Sequence, residues 1–106
     1  MNSPHAEETS GPDGPCDGLV IAQPVLIVVR GRAITVGPTR LGRWWTEHLP
    51  TGQWEPETFV VLERYVTAET CYLDVGAFNG ATLLFAAQTA RLAIGLEPDP
   101  VAFAEL

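Results

Sequence analysis

Between Pro24 and Leu106 the spacing of apolar positions changes several times, and those changes mark the elements. Val25-Leu26-Ile27-Val28-Val29 and Ala33-Ile34-Thr35-Val36 are β-branched runs on either side of Arg30-Gly31-Arg32. A glycine between two such runs supplies turn conformations, so the pattern predicts a β-hairpin. Residues 37–56 show no period: Trp44, Trp45, Trp54, Pro50 and Pro56 are interspersed with Gly42 and Gly52, which suits an irregular packed connection. From Glu57 to Val66 the spacing turns helical, with Phe59, Leu62 and Val66 on one face, Pro56 at the first turn and acidic residues at the start.

Tyr72-Leu73-Asp74-Val75 then reads as a short strand, Gly76 to Gly80 as a tight loop, and Ala81 to Ala90 as a helix apolar nearly all the way round, hence buried on most sides. Arg91 to Leu96 gives a second strand, and Asp99-Pro100 opens another helix. Strand, glycine loop, helix and strand in this order form one βαβ unit, whose strands run parallel with a right-handed crossover. The predicted class is therefore α/β. Three segments follow: a tail over 1–18, a hairpin and connection over 19–56, and the start of an α/β domain over 57–106.

A length of 106 residues supports one small domain rather than two independent ones. Residues 1–18 mix Pro4, Gly11, Pro12, Gly14, Pro15 and Gly18 with acidic and small polar residues, a composition too poor in apolar surface to order itself. The net charge of −7, from 13 acidic residues against six arginines and no lysine, lacks the basic footprint of a nucleic-acid binder. The N-terminus has neither the charged start nor the apolar run of a signal peptide, and no stretch approaches membrane-spanning length, which points to a soluble, cytoplasmic protein. Cys16 and Cys71 form no CxxC pair and read as a tail thiol and a buried one. His5 and His48 lie too far apart in sequence to suggest a metal pair, and the three tryptophans are read as packing area.

The chemistry concentrates in Asp74-Val75-Gly76-Ala77-Phe78-Asn79-Gly80 and in Glu97, twenty-one positions after Gly76. In open α/β sheets, ligands sit beyond the carboxyl ends of the strands, and glycines in the first loop let backbone approach them. An acidic residue at the end of the second strand can accept both hydroxyl protons of a ribose, which is the place of Glu97. A GxGxxG dinucleotide loop is the competitor, but its third position here is Phe78, and Asp74 stands where a pyrophosphate would be repelled. S-adenosylmethionine (SAM) carries no phosphate and brings a sulfonium and an α-ammonium, both of which favour a nearby carboxylate. The candidate cofactor residues are Asp74, Gly76, Ala77, Gly80 and Glu97. Asp99 ranks behind them because it also suits capping the next helix.

Residues 72–80, the run Thr82-Leu83-Leu84-Phe85-Ala86-Ala87, and Leu96-Glu97-Pro98-Asp99-Pro100 with Phe103 and Leu106 resemble the first two motifs of FkbM-type methyltransferases. Gln53-Trp54-Glu55-Pro56-Glu57-Thr58-Phe59 resembles the lead-in of some members. The resemblance implies a Rossmann-like SAM-methyltransferase fold, incomplete here after its first βαβ unit. It also implies Asp74, Gly76 and Gly80 on the methionine side of SAM, Glu97 on the ribose, and O-methylation of a small-molecule or sugar hydroxyl. A full domain of this kind carries several more strands and an acceptor pocket, so the resemblance implies a fragment, inactive by itself, with the catalytic base outside this chain. A short non-catalytic binding module and an NAD-type dinucleotide domain are the alternatives.

Overall fold

The computed structural model describes residues 16–106. The expectation of an unordered segment over 1–18 falls, for residues 1–15, outside the described residues. The chain forms two compact units, divided between Gln53 and Trp54 rather than after Pro56. Each contains a two-stranded sheet, and together they make a mixed α/β architecture.

In the first unit, β1 (Val25–Val29) pairs antiparallel with β2 (Arg32–Val36), with Val25 opposite Val36 and Val29 opposite Arg32. The turn holds only two residues, Arg30 at φ +49° and Gly31 at φ +82°. Two successive positive φ values match the twist of the flanking strands, which is why so short a turn works. Ile27, Val29, Ile34 and Val36 face inward and form the core with Leu41, Trp45 and Leu49.

The connection expected to be irregular is helical. A π-helical turn covers Trp44–His48 and a 3-10 turn Leu49–Thr51, closed by Gly52 at φ +79°. The cause is long-range. Asp17 Oδ1 accepts from Arg43 N at 3.2 Å and Asp17 Oδ2 from Trp44 N at 2.7 Å, satisfying amides that a helix start leaves unpaired. Asp17, placed in the tail by composition, is thus an anchor of this unit. Gly42 lies close beneath it: its amide donates to Leu19 O at 2.8 Å, and an added Cβ would stand 2.4 Å from that oxygen.

In the second unit, α1 (Pro56–Tyr65) buries Phe59 and Leu62. β3 (Cys71–Val75) runs parallel to β4 (Leu92–Leu96), with Leu73 beside Ile94 and Val75 beside Leu96. Between them lies α2 (Ala81–Ala87), and α3 (Pro100–Glu105) follows β4. The helix expected to run to Ala90 ends at Ala87, where the amides of Thr89 and Ala90 both turn back to Ala86 O. Within it Ala81, Phe85 and Ala86 are buried, Thr82, Leu83 and Leu84 half-buried, and Ala87 exposed. Phe85, fully buried, meets Phe59 of α1 edge-on at a centroid distance of 4.9 Å. On the sheet face toward α2, Gly95 leaves room for the Leu83 side chain, which would stand 2.6 Å from a Cβ.

The opposite face of this sheet, carrying Leu73, Val75, Leu92, Ile94 and Leu96, is exposed, with Val75 73% accessible. Cys71 shares that side, so the thiol expected to be buried is exposed; its Sγ accepts from Arg91 Nη2 at 3.1 Å. Among the described residues no helix is long and apolar enough to cross a membrane.

Candidate functional site

The loop from Gly76 to Gly80 leaves β3 at its carboxyl end and delivers the chain to α2. Its amides are turned inward. Gly76 N and Ala77 N both donate to Leu96 O, at 2.7 and 2.9 Å, which ties the loop to the end of β4. Phe78 N donates to Glu97 Oε1 at 2.6 Å, Gly80 N to Ala77 O at 2.9 Å, and Ala81 N to Asn79 Oδ1 at 3.2 Å. Gly76 sits at φ +81° with open space where a Cβ would be. Phe78, at φ +56°, occupies the left-handed region without being glycine, a conformation that costs on the order of 1 to 2 kcal/mol and that concentrates at functional loops.

Asp74, half-buried at the end of β3, accepts through Oδ2 from Thr82 Oγ1 at 2.5 Å. Its carboxylate is thus held by a hydroxyl of α2 rather than by loop amides. It lines a cavity of about 440 Å³ together with Trp54, Glu55, Thr58, Tyr72 and Thr82, floored by Gly76 and Ala77 of the loop. Lys, Arg and His are missing from this wall. The Tyr72 phenol is pushed above its ordinary value of 10.0 by burial first; hydrogen bonding with Thr82 pulls the other way, and the negative charges of Asp74 and Glu55 add to the rise.

Glu97 follows β4 and bridges two amides: Oε1 receives Phe78 N–H, and Oε2 receives Asp99 N–H at 3.1 Å. Glu97 is thus the carboxylate that clamps the loop. Glu97 lines a second, mostly apolar cavity of about 460 Å³ with Val75, Leu96, Pro98 and Phe103. Val75 belongs to both walls, so the two cavities flank one strand end.

The remaining candidates divide by role. Asp99 caps α3, its Oδ1 accepting from Val101 N at 3.0 Å. Gly80 is buried at φ +92° against Leu106, whose Cδ1 would stand 2.8 Å from a Cβ, and it lines neither cavity. Ala77 is buried beneath the first cavity. Trp54, Glu55, Tyr72 and Thr82 were not singled out from sequence as ligand-facing; the available signal was an acidic residue directly before the proline that opens α1.

The first unit has a cavity of its own, about 470 Å³, lined by Asp17, Arg43, Trp44, Glu47 and His48. Its charged groups are engaged with one another: Asp17 holds the amides of Arg43 and Trp44, and Arg43 pairs with Glu47 at 3.1 Å. Among the described residues no cluster of three or more His, Cys, Asp or Glu is arranged for a metal. No family model, curated protein or solved structure matches the chain.

Proposed function

We propose that residues 54–106 hold the SAM-binding part of a Rossmann-like methyltransferase, as the resemblance to the FkbM type implies. The observation that supports this reading most is the inward orientation of the loop amides. A loop that cradles a pyrophosphate offers free N–H groups and a helix start to the anion. Here Gly76, Ala77, Phe78, Gly80 and Ala81 already donate internally, and carboxylates stand at both flanks of the loop. An NAD-type dinucleotide meets occupied donors and negative charge. A sulfonium and an ammonium meet the charge they favour.

In this reading Asp74, Gly76 and Ala77 hold the methionine side. Glu97 holds the ribose beside the apolar wall of Val75, Leu96 and Phe103. Each Glu97 oxygen carries one amide and keeps a second lone pair for a ribose hydroxyl. When bound, SAM supplies an activated methyl carbon to a hydroxyl of a small-molecule or sugar acceptor. The chain's own residues bind and orient: Tyr72 stays protonated at neutral pH, Thr82 fixes the Asp74 carboxylate, and neither is assigned as the proton-accepting base.

Calorimetric titration of the chain with SAM and with NAD tests the reading. SAM is expected to bind and NAD to give no heat of binding. Glu97→Gln replaces one oxygen acceptor by a donor and is expected to weaken SAM roughly ten- to a hundredfold, while exposed Glu69→Gln changes nothing. Tighter binding of NAD than of SAM, or full affinity in a folded Glu97→Gln variant, would sink it.

A further inference from the structure

The cavity beside Asp74 has a second carboxylate that the loop motif does not explain. Glu55 belongs to the segment before α1, and its backbone sits at φ +46°, ψ +52°. Pro56 follows it and bars the right-handed helical region, so the side chain leaves at an angle that a helical residue does not take. Its Oε1 accepts from Thr58 Oγ1 at 3.1 Å, which steadies the carboxylate at the wall of the cavity. Trp54 and Tyr72 line the same cavity. Trp54 is itself braced by Phe59, at a centroid distance of 6.0 Å.

Two carboxylates, the aromatic residues Trp54, Tyr72 and Phe78, and no basic side chain give a concave surface that favours positive charge. An organic cation gains from the carboxylates by charge and from the rings by their quadrupoles. The amides of Gly76, Ala77, Phe78, Gly80 and Ala81 already donate within the protein and offer an anion little. The cavity, about 440 Å³, has room for an amino-acid-sized group.

We infer that Glu55, with Trp54 and Tyr72, completes a receptor for the α-ammonium end of an amino-acid-bearing nucleoside, and that Glu55 sets specificity for ligands that carry this cation. The inference rests on the SAM reading above and deepens it. Asp74, at the loop, holds the sulfonium side; Glu55, at the outer wall, reads the ammonium.

Three ligands separate these roles when titrated into the 106-residue chain: SAM, S-adenosylhomocysteine, which keeps the ammonium but lacks the sulfonium charge, and 5′-methylthioadenosine, which lacks the amino-acid end. Glu55→Gln is expected to weaken the first two by similar factors, roughly three- to tenfold for a carboxylate this exposed, and to leave the third within twofold. Glu55→Asn gives the same ranking and guards against misfolding, because asparagine tolerates the left-handed backbone better than glutamate. Retained binding of 5′-methylthioadenosine then reports an intact site. Equal loss for all three ligands, or no loss for any, overturns the role of Glu55 while the cofactor reading stands. Failure of the parent chain to bind any of the three overturns both.

Discussion

Tyr72 makes the electrostatics of the candidate site measurable without a ligand. Its phenol lies between burial and two carboxylates, which together raise its pKa above 10.0. A phenol whose folded-state pKa exceeds that of the unfolded chain contributes stability below pH 10.0, and that contribution is lost as the pH climbs through the folded value. The chain has two tyrosines, so a Tyr65→Phe background isolates the signal. Ultraviolet titration of that variant is expected to show phenolate appearing above pH 10.0, with Glu55→Gln and Asp74→Asn each moving the transition downward. A transition at or below 10.0 would mean that the carboxylates do not act on this wall. At the same scale, the sequence placed Asp74 and Glu97 at the loop but not their partners. Thr82 reaches Asp74 across one turn of loop and helix, and Phe78 N–H reaches Glu97 across the whole of α2 and β4. Such pairings depend on strand register, which no local pattern carries.

Elements with their own period were legible in the sequence, and those that borrow their ends from elsewhere were not. The hairpin, α1 and the parallel pair each carry their spacing within a few residues, and their observed bounds differ from the reading by at most one position. The helical turns over 44–51 carry no such spacing, because what starts them is the carboxylate of Asp17. The same side chain accepts from Leu19 N at 3.3 Å, so three amides converge on it. Asp17→Ala is expected to destabilise the first unit by about 1 to 2 kcal/mol, the usual cost of a lost cap with amides left unpaired. Asp17→Asn, which keeps one acceptor, should fall between. Denaturant melts followed by tryptophan fluorescence read this directly, since Trp44 and Trp45 lie at the anchored turn. An unchanged midpoint in Asp17→Ala would show that the turn stands without its anchor.

At the scale of the molecule, the parallel sheet poses the largest unresolved demand. Leu73, Val75, Leu92, Ile94 and Leu96 lie in register on one face and are exposed, with Phe103 of α3 exposed as well. Parallel strands are ordinarily covered on both faces, and the Leu92-Ala93-Ile94-Gly95-Leu96 run of β4 has the composition of such a strand. Contiguous apolar surface of this kind drives association in water, and each strand of the two-stranded sheet also presents an unpaired edge. The 106-residue chain by itself is therefore expected to self-associate, with a sedimentation coefficient that rises across a concentration series. Ile94→Lys, at the centre of the face and beside Leu73, puts a charge where association would bury it and should shift the distribution toward monomer. Val60→Lys removes a comparably exposed apolar residue from α1, away from the sheet, and should leave the distribution unchanged. Because both positions are already exposed, neither change costs core packing, and the pair separates the sheet face from general hydrophobicity. If Ile94→Lys associates as strongly as the parent, the contact runs through the strand edges or the first unit. A parent chain that stays monomeric throughout would mean that this face, apolar as it is, does not drive association.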